Sequence, residues 1–103
     1  MTEKISAIEE SKIIKVANDF VNKFDKTYGA KPVFDNERTK LIGLILFNRL
    51  SGDHIALIDL RLNNSHLCLS EDLLQPRSDI EFASDINAHR EKLVKQIREI
   101  END

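Results

Sequence analysis

The residues of this chain most suggestive of chemistry are His66 and Cys68, in the segment "NNSHLCLSED" (63–72). An imidazole and a thiol two residues apart could share a metal ion or pair a nucleophile with its base. A zinc site, however, needs three or four ligands at recognisable spacings, and the chain contains one cysteine. No motif for binding an oxyanion accompanies the pair. We therefore expect Cys68 to be a half-buried structural residue, and we predict no catalytic, metal-binding or cofactor-binding residue.

The other ionisable groups have simpler explanations than catalysis. His54 follows Ser-Gly-Asp, where a side chain can cap the end of a preceding helix. His89 falls in a charged stretch and is expected to be solvated. Acidic residues cluster without the alternate-residue spacing of a calcium loop, and we interpret them as charges at helix N-termini: Glu71, Asp72, Asp79, Glu81 and Asp85. The sequence also lacks a glycine-rich phosphate loop, G-x-S-x-G and H-E-x-x-H.

Length and composition indicate one ordinary globular domain spanning residues 1–103. The chain is 41% apolar and 32% charged, with a net charge of −3. That charge argues against nucleic-acid binding by the chain as a whole. No apolar run reaches the roughly 18 residues of a membrane span, and the first residues carry charge where a signal peptide needs an apolar centre. With its single cysteine, the chain is expected to be cytoplasmic.

Residues 6–28 have the apolar periodicity of an amphipathic helix. Ser6 and Glu9 match a capping box at its start, and Gly29 can supply the left-handed residue at its end. The residues of the apolar stripe recur at spacings of three and four: Ile13, Ala17, Phe20, Phe24 and Tyr28. The pattern predicts a long first helix.

Residues 36–50 are apolar on nearly every side if they are helical. Asp35 offers an N-cap and Gly52 a stop. Gly43 costs about 1 kcal/mol of helix propensity relative to alanine, which close approach of a neighbouring element would offset. A helix that is apolar on most sides lies at the centre of a fold. The segment therefore predicts a central helix, with these apolar residues: Leu41, Ile42, Leu44, Ile45, Leu46, Phe47 and Leu50.

Segment 54–70 is compatible with two structures. Apolar and polar residues alternate in both "IDLRL" and "HLCLS", as in half-buried strands. If Asn63 and Asn64 form a two-residue turn, Leu60 faces Leu67 and Ile58 faces Leu69. His66 and Cys68 then lie on the less apolar face, opposite Arg61 and Asp59. The competing interpretation makes 54–62 a short helix, because Ile55, Ile58 and Leu62 also fit helical spacing. We favour the hairpin.

The last third of the chain predicts a helical turn and one long final helix. The turn is "SEDLLQ" (70–75), stopped by Pro76. Ser78 and Glu81 form a capping box for the final helix. Its buried stripe is marked by Ile86, Leu93, Ile97 and Ile100.

The segment "SHLCLSEDLL" (65–74) is similar to the G-H-V-C-L segment near the N-terminus of exonuclease V alpha-subunit helicases. The resemblance covers ten residues, Ser65 replaces the glycine, and the chain has no helicase phosphate loop. It implies that 54–62 is helical, and no activity is carried over from it.

Together these elements predict a mainly helical α+β domain with three helices and a small β-hairpin between the second and third. An all-α bundle is the alternative. The central helix would lie between the two terminal helices and the hairpin.

For function, the sequence favours a small non-catalytic interaction protein, such as a regulator, inhibitor or immunity-type protein. It would act through a protein partner or through self-association as a homodimer, since acidic surfaces suit basic partners and the apolar segments exceed what a small monomer readily covers. The alternative is a nucleic-acid-associated accessory protein that uses basic residues of the C-terminal helix, Arg90, Lys92, Lys95 and Arg98. Interleaved glutamates and few aromatic residues weaken that alternative. A third possibility is a small enzyme using His66, Cys68 or the acidic cluster.

Overall fold

The computed structural model describes residues 4–61, 65–70 and 76–101. A helix comes first, four strands follow, and two helices end the described chain. The helices are α1 (Ala7–Asn22), α2 (Arg77–Ala88) and α3 (Arg90–Glu101), and the strands are β1 (Tyr28–Phe34), β2 (Leu41–Asn48), β3 (His54–Asp59) and β4 (His66–Leu69). The strands form one antiparallel sheet in the order β1-β2-β3-β4. The predicted helix-dominated domain with a hairpin between its second and third helices is therefore wrong, and so is the all-α alternative.

The largest correction concerns residues 36–50, which contain strand β2 instead of a central helix. Leu44 and Leu46 are fully buried, whereas Ile45 between them and Phe47 after them are half-buried. A strand with apolar residues on both faces produces a continuous apolar run, which a buried helix also produces. Asp35 does accept backbone N–H groups, as an N-cap would, but they belong to Thr39 and to Lys40 in the β1–β2 turn.

Helix α1 begins as predicted and ends earlier. The Ser6 hydroxyl accepts the backbone N–H of Glu9 at 3.1 Å, and the helix stops at Asn22. Tyr28 and Gly29 belong to β1, so neither continues nor caps the helix. Of the predicted stripe, the three residues within α1 are buried, Phe24 is 38% exposed, and Tyr28 is buried in β1.

Segment 54–70 forms a hairpin, as the outer half of the larger sheet. Ile58 pairs with Leu67 and Asp59 with His66, a register two residues away from the predicted one. A shift of two residues keeps each side chain on the same face of the sheet, so Leu67 packs on the core, as predicted. Strand β3 ends at Asp59, and β4 begins at His66. Residues 63–64 lie outside the described part of the chain, as do residues 71–75 of the predicted helical turn.

The predicted final helix consists of two helices that meet at His89. This residue has φ −114° and ψ 13°, which ends α2 before α3 begins. Helix α2 starts at Arg77 after Pro76, and no side chain caps it. Ser78 and Glu81 therefore lie within the first two turns of α2 and do not form the predicted capping box.

One face of the sheet supports all three helices. Helix α1 packs on β1 and α3, while α2 packs on β3, β4 and α3. Helices and sheet share one core, whose fully buried large side chains include Ile13, Leu44, Leu46, Ile58, Ile86, Leu93 and Ile97. Burying each such aliphatic side chain contributes roughly 1.5–3 kcal/mol. In the described ranges, no helix has the length and apolar character needed to cross a membrane.

Candidate interaction surface

The sheet face opposite the helices carries four large apolar side chains. We call Val33, Ile45, Phe47 and Leu57, with Gly43 among them, the open face. Alternation along the strands places them opposite to the buried core residues, and each of the four is half-buried. The register sets Ile45 beside Leu57 and Val33 beside Gly43, so the patch is continuous across three strands.

Gly43 lies on the open face, where β3 approaches it closely. A Cβ atom there would lie 3.1 Å from the carbonyl oxygen of Ile58 and 3.1 Å from Cδ1 of Leu57. The close approach expected at Gly43 therefore occurs, between strands instead of helices. Leu57 covers the place that a Gly43 side chain would take, which keeps this part of the face flat.

Two cations flank the aromatic ring at one end of the open face. The Lys31 Nζ atom lies 5.5 Å from the centre of the Phe47 ring, and the Arg49 Cζ atom lies 5.8 Å from it. The ring rests against Gly29, where a Cβ atom would be only 2.7 Å from Phe47 Cζ. Arg49 is held in place because its Nε donates to the Tyr28 carbonyl oxygen at 3.1 Å and its Nη2 donates to Asn18 Oδ1 at 2.8 Å. We call Lys31, Phe47 and Arg49 the cation–aromatic corner.

The opposite end of this sheet face holds the residues that first suggested chemistry. His66 pairs with Asp59 and Cys68 with Leu57, so the imidazole and the thiol lie on the side away from the core, as predicted. Cys68 is exposed, so the expectation that it is half-buried is wrong. The Asp59 carboxylate is already engaged by Arg61, whose Nη2 donates to Oδ2 at 2.6 Å. The hydrogen bonds from the Arg61 side chain are the main cause that lowers the Asp59 pKa to about 2. Within residues 4–61, 65–70 and 76–101, no three His, Cys, Asp or Glu side chains are grouped to hold a metal ion.

Arg90 lies apart from the other three predicted basic residues of the C-terminal helix, which share one face with two glutamates. Arg90 is half-buried: its Nε donates to the Ser65 hydroxyl at 2.8 Å, and its Nη1 donates to Asn87 Oδ1. Lys92, Lys95 and Arg98 are exposed. At 100° per residue, Glu91 falls between Arg98 and Lys95 around the helix, and Glu99 falls between Lys95 and Lys92. Arg90 thus ties α3 to the start of β4, and the other three cations alternate with carboxylates.

A surface depression of about 410 Å³ runs along the junction of α2 and α3. One continuous stretch, residues 87–92, lines it, so it does not bring together groups from separate elements as a catalytic pocket does. His89 lies in this stretch, and its ring packs against Phe24 with 5.2 Å between the ring centres. The ring Nδ1 is 3.0 Å from the Asp85 carbonyl oxygen, a contact within the junction, and His89 is exposed, as predicted.

The cation–aromatic corner was not predicted because residues 36–50 have the apolar pattern of a buried helix. Read with a period of two, the same residues place Gly43, Ile45 and Phe47 on one side and Leu44 and Leu46 on the other. The corner itself joins β1 to the end of β2, so it depends on strand pairing that the sequence pattern does not specify.

The open face and its cation–aromatic corner are thus the candidate interaction site of this protein. A fold does not imply a function, which has to be argued from the site. Comparison of the chain with protein-family models, with curated proteins and with solved structures finds no match.

Proposed function

We propose that this protein is a non-catalytic interaction protein whose open face binds a protein segment with apolar side chains beside carboxylates. The observation that carries the proposal is the one-sided packing of the sheet. The helices cover one face, and the other presents four large apolar side chains that end at two cations. Continuous apolar patches with a polar rim are typical of interaction sites. A protein that covers such a segment regulates or inhibits its partner without chemistry of its own.

The charge of the corner indicates what the partner carries. The chain as a whole has a net charge of −3, yet Lys31 and Arg49 stand together at this end of the sheet. Among the described residues, no carboxylate forms an ion pair with either cation. A carboxylate of a partner would therefore meet uncompensated positive charge next to an apolar surface, which favours that partner through complementary charge.

A nucleic acid is the competing ligand for the same corner, because cations beside a ring can bind phosphate and stack a base. The rest of the open face argues for protein. Val33, Ile45 and Leu57 are aliphatic and offer no stacking surface, whereas they can bury apolar side chains. The lone thiol of Cys68 suits the reducing cytoplasm, where we place this activity.

Selection from a randomised peptide-display library tests the proposal. We expect the protein to enrich peptides that combine apolar residues with Asp or Glu. Replacing Ile45 by lysine puts a charge at the centre of the open face and should weaken the selected peptides at least tenfold, about 1.4 kcal/mol. Lys31→Gln should lower the affinity and reduce its dependence on salt.

The matched control is Ile8→Lys. Ile8 is 71% exposed on α1 and lies away from the sheet, so this variant should bind the selected peptides normally. A selection without enrichment, or peptides that bind Ile45→Lys as well as the native protein, would overturn the proposal. Binding of a fluorescent oligothymidylate at low salt, lost in Lys31→Gln, would replace it with the nucleic-acid alternative.

A further inference from the structure

The two edges of the sheet differ in what lies beside them in the described part of the chain. On the outer edge of β1, the Asn18 side-chain amide donates to the Ala30 carbonyl oxygen at 2.8 Å, and its Oδ1 accepts the Ala30 N–H at 3.0 Å. Pro32, two residues further, has no N–H to offer. The β1 edge is therefore closed to another strand.

The outer edge of β4 has no neighbouring strand among residues 4–61, 65–70 and 76–101. The Ser70 N–H donates to the Ile55 carbonyl oxygen at 2.8 Å, which fixes the phase of the β3–β4 ladder. Because neighbouring residues of an antiparallel strand turn their N–H and C=O groups to opposite sides, His66 and Cys68 bond toward β3. Leu67 and Leu69 then direct their backbone groups outward, and in the described part of the chain β3 is the only strand beside β4.

We infer that a second copy of this chain pairs with β4 in an antiparallel manner, around a two-fold axis at Cys68. In this register, Leu67 of each copy faces Leu69 of the other, and all four outward N–H and C=O groups of each β4 are paired. Centring the axis on Leu67 or Leu69 would pair only one residue of β4 with its equivalent in the second copy. The Cys68 register therefore satisfies the most backbone groups with β4 alone, and a two-fold arrangement of this kind is self-complementary.

Exposed apolar side chains beside the edge support the same partner. Leu69 is 46% exposed on the helix-covered side of the sheet, and Ile80 is 42% exposed on α2, the helix that packs against β4. A second copy brings its own Leu69 and Ile80 to the same junction, so that strand pairing also buries apolar surface. The inference uses a different surface from the proposed function and does not depend on it.

Sedimentation velocity under reducing conditions, over a series of protein concentrations, tests whether the dimer exists. Leu69→Pro is the decisive variant, because the Leu69 N–H points away from β3 and proline removes it without removing a bond to β3. We expect the native protein to form a dimer and Leu69→Pro to be a monomer with an unchanged circular dichroism spectrum. Ile8→Lys is the control and should remain a dimer.

A native protein that is monomeric at every concentration would overturn the inference. So would a dimer that persists in Leu69→Pro but dissociates in Ile45→Lys, because that result would place the contact on the open face. If Leu69→Pro becomes a monomer and still binds the display-selected peptides, peptide binding at the open face does not require the dimer. If Ile45→Lys loses peptide binding and remains a dimer, the dimer does not require the open face.

Disulfide trapping at Cys68 tests the register. Facing residues at a non-hydrogen-bonded position have Cα atoms about 4.5 Å apart, within the range of roughly 4.4–6.8 Å that a disulfide spans. Diamide accepts two electrons and two protons from the two Cys68 thiols, and a covalent dimer should form rapidly.

Two further variants make the trapping specific. In Cys68→Ser with His66→Cys, the two new thiols lie roughly 13 Å apart along the paired strands and should not cross-link. Adding Ser70→Cys places residue 70 of one copy opposite residue 66 of the other, and the covalent dimer should return. If His66→Cys cross-links by itself as fast as native Cys68, the register we infer is wrong.

Discussion

The Tyr28 hydroxyl donates a hydrogen bond of 2.6 Å to Oδ1 of Asp79, inside the protein. Both residues are buried, with 3% and 5% of their surface exposed. The bond joins the first residue of the sheet to the first turn of α2, and the Tyr28 ring stacks on Phe82 of the same helix at 4.0 Å between ring centres. This contact fixes α2 against the sheet, and it is a long-range polar contact beside the apolar core.

Removing the carboxylate should destabilise the fold. We expect Asp79→Ala to lower the free energy of unfolding by about 2 kcal/mol, because it leaves the buried Tyr28 hydroxyl without its charged acceptor. Urea denaturation followed by circular dichroism measures the change. In a double-mutant cycle, adding Tyr28→Phe should cost little more. Strictly additive losses would show that the two side chains are not coupled.

Alkaline pH should weaken the same contact. Burial is the main cause that raises the pKa of Tyr28 from 10.0 to about 12, and the hydrogen bond to Asp79 adds to it. Because the folded-state pKa is above the unfolded one, this contribution to stability is complete below pH 10 and is lost as pH rises toward 12. One pKa unit corresponds to about 1.4 kcal/mol, so on the order of 2–3 kcal/mol depends on this titration.

Tyr28 is the single tyrosine of the chain, so its phenolate absorbance reports the titration directly. Stability measured from pH 9 upward should fall more steeply in the native protein than in Tyr28→Phe, which lacks the group. Equal slopes would contradict the assignment.

The two strand glycines should respond differently to alanine. In Gly43→Ala the new methyl group meets a backbone carbonyl, that of Ile58, at 3.1 Å. A paired strand cannot move aside, so we expect a loss of about 1–2 kcal/mol. In Gly29→Ala the close atoms are the outer ends of Phe47 and Arg49, which can rotate. Thermal unfolding should show the smaller effect for Gly29→Ala, whereas its binding of display-selected peptides should fall because the cation–aromatic corner is displaced.

Removing Arg61 should release the carboxylate of its neighbour. Arg61→Ala should raise the pKa of Asp59 from about 2 toward 3.8, because the Arg61 side chain is the main cause of the depression. Carboxyl chemical shifts followed by NMR across acidic pH measure this value. The depressed pKa means that Asp59 contributes to stability above pH 4 and loses that contribution as pH falls toward 2. Arg77→Ala, which breaks a separate exposed ion pair with Glu81, should leave Asp59 unchanged.

Local patterns in the sequence were sufficient to predict structure where one face of an element is polar. The start of α1 at Ser6, the burial of Ile13 and Ala17, and the placing of His66 and Cys68 away from the core follow from periodicity and capping. The strand structure of the run Leu41–Phe47 could not be predicted from periodicity, because both faces of β2 are apolar and no polar residue indicates a period of two. That one error changed the whole architecture, since β2 is the strand that joins β1 to the β3–β4 hairpin.

The remaining errors arise from contacts that are distant in sequence. The helix break at His89 contains no glycine or proline that would have indicated it in the sequence. The His89 ring packs against Phe24, which lies just after α1. The two-residue shift of the hairpin register preserves the alternation of faces, so the pattern alone could not detect it. The candidate surface could not be predicted before β2 was known to be a strand.

The closed edge of β1 determines what kind of assembly the fold can form. A sheet with two free edges can add copies without end, which leads to ribbons and fibrils. Here Asn18 and Pro32 terminate one side, so the inferred pairing across β4 would use the one edge that the described strands leave. Assembly would stop at a dimer. The contact that pairs β4 of the two copies would also prevent further copies from adding to that strand.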